Sequence, residues 1–338
     1  MLNAIAGDLI LAGAEVVAMV DSRLPSVISK QVGATQHLVR SEDDLPSLLL
    51  SLAKHADRLL IIAPETDSIL SRCLSWLESV EHKLLNPDAA FTKLASNKSK
   101  LFDYLKSKGW TQFPNGLNFQ TFLDQASDSP PDQSGWKHEF PTPAVLKPID
   151  GAGSEEVILI DDWNDFEPTL SRDSDRYRLE EFVPGTPVSV SVLCGGDHCD
   201  VLTPTIQRFE RSETPQHASF GGHYIGAKFP IEEAISRRAV ELVCEVMQRL
   251  PKTRGYIGLD LVISDSDDRS RDCLIEINPR LTMSYSRLSE IYGLANDWSG
   301  NPSSPPINRS NLAMRMLDKA IQPQTDSSIV CTFREPLP

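Results

Sequence analysis

Apolar residues recur along this chain with two different periods, and the alternation between them lays out its elements. Residues 1–12 place them at helical spacing. Gly13 ends that run before Val16-Val17-Ala18-Met19-Val20, a continuous apolar stretch that reads as a buried strand closed by Asp21. Residues 45–55 predict a second helix, and Leu59-Leu60-Ile61-Ile62-Ala63 a second buried strand. Pro64-Glu65 breaks that strand, and Asp67 is positioned to cap a helix running to about residue 79. Strands alternating with helices predict an α/β, doubly wound (Rossmann-like) parallel sheet over residues 1–92. It opens inside its first helix, where such a unit usually opens on a strand: either that strand is absent or the start codon has been placed late.

Beyond residue 92 the pattern changes. Residues 97–109 form a helix with an apolar stripe at Leu101, Tyr104 and Leu105, ended by Gly109. Residues 124–135 are polar and proline-containing without periodicity, which predicts a mobile surface loop. Ala144-Val145-Leu146-Lys147-Pro148 is a strand carrying one lysine. It runs through Asp150-Gly-Ala-Gly-Ser154 into a strand at 157–160, a hairpin with a glycine-containing tip. A strand over 176–183 ends at Pro184-Gly185, and Val188, Val190 and Val192 then alternate with Ser189 and Ser191, predicting one buried face. An amphipathic helix over 231–250, a strand over 255–263, a Pro/Ser/Asn-rich loop over 301–310 and a helix over 311–321 complete the chain. No internal repeat is visible.

The chemistry gathers in residues 273–287. Leu274, Ile275 and Ile277 make a short buried strand closed by Pro279, and Glu276 and Asn278 alternate against it, so both point to one face. A carboxylate and an amide oxygen two residues apart are hard ligands that suit Mg²⁺. Arg280 follows at the strand end, where its planar fork could take a phosphate or an anionic intermediate. Each signal also has a plain structural reading. Glu-x-Asn can be a solvated strand face, Gly151-x-Gly153 an ordinary turn, and Glu180-Glu181 before Phe182-Val183 a solvated strand end. Lys147 on an apolar strand needs a partner, and Lys98 at a helix start opposes the helix dipole, which invites an anion. The order decides: a helix lysine, a strand lysine with a glycine hairpin, an acidic-apolar strand, a strand bearing Asp260, then Glu-x-Asn. Two lysines and free amides would neutralise a triphosphate, while Asp260, Glu276 and Asn278 would supply Mg²⁺ oxygens.

Composition narrows the classes. The 338 residues are 40% hydrophobic and 24% charged, an ordinary globular balance with room for two or three domains. The formal charge of -14 argues against a general nucleic-acid binder. Asp8 and Glu15 interrupt the apolar N-terminus, which reads as neither a signal peptide nor a membrane span. The six cysteines are scattered, as expected of reduced thiols in a cytoplasmic protein. Cys194-Gly-Gly-Asp-His-Cys199 reads as a hairpin turn rather than a zinc site.

On these residues the chain resembles the ATP-grasp superfamily of carboxylate–amine ligases, with the motifs covering about 98–284. The resemblance implies an ATP-grasp domain over 93–338, with a lid subdomain over about 142–185, after an N-terminal α/β pre-ATP-grasp domain. It implies that Lys98 and Lys147 hold the α- and β-phosphates of ATP and that the loop with Gly151, Gly153 and Ser154 folds over them. Glu180, Glu181, Phe182 and Val183 would bound the adenine. Asp260, Glu276 and Asn278 would bind Mg²⁺ (or Mn²⁺), and Arg280 would face the reacting centre. Pro187 and Val188 stand where many relatives carry a ribose-binding acid, and the glycine loop is sparser than in the carboxylase branch. Ala63-Pro64-Glu65, Pro184-Gly185, Phe220-Gly221-Gly222 and Asn278-Pro-Arg-Leu-Thr-Met-Ser-Tyr285 are similar to the tyramine–glutamate ligase branch, which makes an amide in methanofuran-type cofactor synthesis. The implied activity is ADP-forming ligation of a small carboxylate, with glutamate as the candidate, to an amine through an acyl phosphate. The alternatives are a ligase for another amino acid or peptide, or an ATP-binding sensor without turnover.

Overall fold

The structure, a computed structural model, describes residues 1–23, 33–41, 44–127, 140–153, 156–163, 173–210, 223–294, 312–320, 322 and 329–333. Helix α1 (Leu2–Leu11) leads into β1 (Val17–Asp21), which pairs in parallel with β2 (Thr35–Val39). Gln36 and His37 break the apolar run of β2, so the hydrophobic pattern gives no sign of it. Helix α2 (Leu45–His55) buries Leu49 and Ala53 against Leu59, Leu70, Leu74 and Leu77, a small core of its own.

Two expectations for this region are corrected. The strand at 59–63 is reduced to one parallel bridge, Leu59 to Leu84. A side chain stands in for the missing neighbour: the Asn86 amide accepts from Ile61 N–H at 2.8 Å and donates to Ile61 C=O at 2.9 Å. The helix at 67–79 is shorter, with α3 (Ile69–Ser75) entered through a tight turn in which Asp67 and Ser68 both have positive φ. Asp67 does not cap it. Its carboxylate pairs with Arg176 at 3.3 Å and its N–H donates to Asp150 Oδ2 at 3.0 Å.

Helices α4 (Ala89–Ala95) and α5 (Lys98–Ser107) follow, capped by Asp88 and Asn97. A four-stranded antiparallel sheet is then built from β3 (Gly116–Asn118), β4 (Ala144–Pro148), β5 (Ile158–Ile160) and β6 (Tyr177–Glu181), in the order β3-β6-β4-β5. Helix α6 (Phe119–Ser127) packs on it. The larger, seven-stranded sheet holds β7 (Thr186–Gly195), β8 (His198–Val201), β9 (Thr205–Glu210), β10 (His223–Lys228), β11 (Gly255–Ile263), β12 (Cys273–Asn278) and β13 (Val330–Phe333). Its path is β10-β9-β7-β11-β12, with β8 beside β7 and β13 parallel to β8.

Helix α7 (Glu233–Met247) covers one face, where Leu242, Val243 and Val246 meet Val188, Val190 and Val192. The serine face of β7, expected to meet solvent, is buried as well: Ser189 is 3% exposed and Ser191 1%. Ser191 shares a 2.5 Å hydrogen bond with Tyr256, which continues to Thr282. Helices α8 (Tyr285–Leu294) and α9 (Leu312–Ala320) close this side, and α1 packs on both of them. Asp8 accepts from the Tyr285 hydroxyl at 2.8 Å, which fastens the first helix there.

The cysteine reading is corrected at one pair. Cys194 and Cys199 are disulfide-bonded, while Cys73, Cys244, Cys273 and Cys331 are free thiols. The glycine turn between β7 and β8 puts the bonded pair directly opposite each other, with Cα atoms 4.1 Å apart. Among the described residues no helix is long and apolar enough to cross a membrane. Most of the expected loop at 124–135, the loop at 301–310, Ser154 and Phe220 to Gly222 lie outside the described residues.

Candidate functional site

A cavity of about 280 Å³ opens between the two sheets. Twelve of the thirteen residues singled out in the sequence line it: Lys98, Lys147, Gly151, Gly153, Glu180, Glu181, Phe182, Val183, Asp260, Glu276, Asn278 and Arg280. The thirteenth, Ser154, lies outside the described residues.

The small sheet supplies the cationic wall. Lys98 is the first residue of α5, where the Asn97 cap leaves its side chain free to turn inward. Its Nζ pairs with Glu276 at 3.0 Å and donates to the Gly151 carbonyl at 3.0 Å, while its own N–H donates to Ile149 C=O. Lys147 Nζ lies 2.6 Å from Glu180, and burial pushes its pKa down against the opposing pull of that carboxylate. Glu180 also takes Arg178 Nε at 2.8 Å, so its carboxylate anchors two cations beneath the cavity floor. Glu181 accepts from Asn115, and Phe182, 39% exposed, stands at the rim. Gly153 has φ +70, a conformation that side chains rarely adopt, at the hairpin tip.

The large sheet supplies the acidic wall. Asp260 on β11 and Glu276 on β12 are register partners, so their carboxylates stand side by side on one face. Burial raises the pKa of Asp260, and the Glu276 charge raises it further. Burial would also raise Glu276, but Lys98 and then Lys147 outweigh it and hold that carboxylate ionised, with its pKa lowered to about 2. Gln207 and Asn278 each donate an amide hydrogen to Asp260, at 3.0 and 3.1 Å. Arg280 donates through Nε and Nη2 to Glu65 Oε2, both at 2.8 Å. Glu65 is 4% exposed, its pKa is raised by burial and partly restored by Arg280, and its Oε1 has no partner.

This donor set fits a hard divalent cation. Two buried carboxylates compete for one face, with the cost carried by Asp260, and an oxygen-seeking ion between them would remove that repulsion. Among the described residues no group of three or more His, Cys, Asp and Glu is arranged for a metal, and the Asn278 amide oxygen is a further hard donor beside the two carboxylates.

The sequence reading missed several cavity residues. Gln207, Phe209 and Tyr224 come from β9 and β10, strands whose mixed pattern gave no prediction, and Ser189 was read as solvent-facing. The Ser/Val alternation that did mark β7 was the available signal for Ser189. Glu65 was visible only as part of a motif, with no role attached.

Comparisons with known proteins identify the family and the fold. A model of the ATP-grasp domain matches residues 95–284, and one of the pre ATP-grasp 3 domain matches residues 14–90. The chain is 25% identical over 258 residues to the tyramine–L-glutamate ligase of Methanocaldococcus jannaschii, covering 76% of this chain and 65% of that relative. Among solved structures it is similar to an ATP-grasp superfamily protein from Archaeoglobus fulgidus (TM-score 0.58, 22% identity, 86% of this chain and 76% of that one). It is also similar to the L-amino acid ligase from Bacillus licheniformis (TM-score 0.60, 17% identity, 86% of this chain and 66% of that one). At these identities the structural likenesses speak for the fold.

Proposed function

The chain belongs to the ATP-grasp family, whose domain model matches more than half of it, and from that premise we propose that it is an ADP-forming ligase joining a carboxylate to an amine. One observation carries the proposal: two lysines, an arginine, two carboxylates and an amide arrive from four separate segments at a single cavity between two sheets. In this reading residues 1–92 form the pre-ATP-grasp domain and 93–338 the ATP-grasp domain, with 142–185 as its lid.

Lys98 and Lys147 bind the α- and β-phosphates, exchanging their present carboxylate partners in part for phosphate oxygens. The tip with Gly151, Gly153 and Ser154 covers the phosphates and excludes water. Residues 180–183 flank the base with backbone groups, since the Glu180 side chain is committed to Lys147 and Arg178. Asp260, Glu276 and Asn278 would hold Mg²⁺ (or Mn²⁺), which supplies charge neutralisation to the phosphates. Arg280, oriented by Glu65, stabilises the charge that develops as the substrate carboxylate attacks the γ-phosphorus. The amine then attacks the acyl carbon of the resulting acyl phosphate, its C–N bond forms as the C–O bond to phosphate breaks, and loss of a proton from nitrogen leaves an amide and phosphate.

For the substrates themselves, the relative named as a tyramine–L-glutamate ligase suggests glutamate and an aromatic amine as the first pair. Phe209 and Tyr224, in edge-on ring contact, and Met283 add apolar lining to the cavity that suits such an amine. The test is product analysis with ATP, glutamate and tyramine, followed by a screen of other acids and amines for ADP release. ADP, phosphate and an amide are expected only when both partners are present. AMP with pyrophosphate would overturn the acyl-phosphate route. Nucleotide binding without turnover for any acid–amine pair would favour a sensor.

A further inference from the structure

On the far side of the large sheet, four of the six cysteines come together although they are spread over 138 positions of sequence, from Cys194 to Cys331. Cys194 on β7 is the register partner of Cys199 on β8, and Cys199 is in turn the register partner of Cys331 on β13. Register partners project to the same face of a sheet with Cβ atoms about 5 Å apart, so three sulfurs form a row across three neighbouring strands. Helix α7 packs over β7, β8 and β13 on that face and carries Cys244. Cys194 and Cys199 are buried in the core with Leu242 and Val246, while Cys244 and Cys331 lie against that core and are only half-buried. Cys244 and Cys331 are close enough to share a hydrogen bond, which lowers the pKa of Cys244 and raises that of Cys331. The first pair is a disulfide and the second a pair of thiols.

We infer that these four cysteines form an internal thiol–disulfide exchange site, in which the disulfide can pass from Cys194–Cys199 to Cys244–Cys331. In the first step Cys331 loses its thiol proton and attacks Cys199 Sγ. The Cys199–Cys331 bond forms and the Cys194–Cys199 bond breaks, with its electron pair left on Cys194, which takes up a proton. Cys244 then loses its thiol proton and attacks Cys331 Sγ, and the Cys199–Cys331 bond breaks with its electron pair on Cys199, which is protonated in turn. One disulfide and two thiol protons are present before and after, so no outside oxidant is consumed. The exchange relocates the covalent link. It leaves the β7–β8 hairpin, which is already joined by a short turn, and ties strand β13 to helix α7. An outside dithiol would enter through the half-buried pair, because the other two sulfurs are enclosed. Nothing in this site touches the cavity between the sheets, so the inference is independent of the ligase reading.

Peptide mapping decides it. The unmodified full chain is equilibrated in oxidised and reduced dithiothreitol at graded ratios, quenched in acid, alkylated and digested without reduction. Both the 194–199 and the 244–331 disulfide peptides are expected, and both should fall together as the share of reduced dithiothreitol rises. In Cys244→Ser the second step is blocked, and the mixed 199–331 peptide should accumulate. In Cys199→Ser, kept free of oxidant, the 244–331 peptide should be lost. The mapping of the unmodified chain carries no folding risk, and circular dichroism controls the variants. Finding only 194–199 at every ratio would overturn the site. So would a 244–331 bond that forms equally well without Cys199, or equal involvement of Cys73 and Cys273.

Discussion

Two buried clusters of charge in this protein use the same residue types and do opposite things. Behind the large sheet, Arg238 on α7 grips Asp272 through Nε and Nη2, and the same carboxylate accepts from Ser264 N–H at 3.0 Å. Both carboxylate oxygens of Asp272 have partners there, and neither Asp272 nor Arg238 lines the cavity between the sheets. Between the sheets, Lys98, Lys147 and Arg280 are also paired with carboxylates, but Glu65 keeps an oxygen without a partner and the cations border open space. A saturated ion cluster fixes the fold. An unsaturated one beside a cavity keeps part of its electrostatic capacity for a ligand.

Substitutions should break the two clusters in different currencies. The largest effect is expected for Asp272→Ala, which strands Arg238 in a mostly buried position and should destabilise by about 3–5 kcal/mol. Denaturant unfolding would measure it, and ATP turnover per folded molecule should be unchanged. A stable but inactive variant would erase the distinction. Next comes Arg280→Ala, expected to slow turnover by ~10²–10³, or about 2.7–4 kcal/mol, with nucleotide binding nearly intact. Loss of ATP binding in calorimetry would move Arg280 from the reacting centre to the binding set. Lys147→Ala should weaken ATP binding by roughly 1.5–3 kcal/mol, the contribution of a charge-assisted hydrogen bond. Glu180 keeps Arg178 as a partner in that variant, so the melting temperature should hardly move. At the small end, Arg254→Ala removes a half-exposed pair with Glu81 and should cost no more than about 1 kcal/mol in unfolding while leaving turnover alone.

The legibility of the molecule followed the same division. Strand β11 begins and ends where its apolar run does, and β12 spans the run with Glu276 and Asn278. Continuous burial leaves a continuous hydrophobic signature. By contrast β2, β9 and β10 are mixed in character and gave none, which hid Gln207 and Tyr224. The strand at 59–63 failed for a tertiary reason, since Asn86 occupies the edge that another strand would have used. Twelve of the residues singled out in the sequence line one cavity, and their charged and amide types are what marked them. Their present partners were not, because Glu65 and Arg280 meet across 215 positions of sequence and only folding brings them together. The disulfide was missed because a five-residue separation was read as a turn alone, without asking what the turn sets opposite what.

The hairpin between β4 and β5 is fastened at its root. Ile149 is held on both sides, donating to Arg176 C=O at 2.8 Å and accepting from Lys98 N–H at 3.1 Å. Asp150 is clasped by the N–H of Asp67, 83 positions earlier in the chain. The hairpin is therefore a short lever whose fulcrum belongs partly to the N-terminal region. A swing of the glycine tip about residues 149–150 would work against these contacts, one of which comes from a left-handed turn that does not line the cavity.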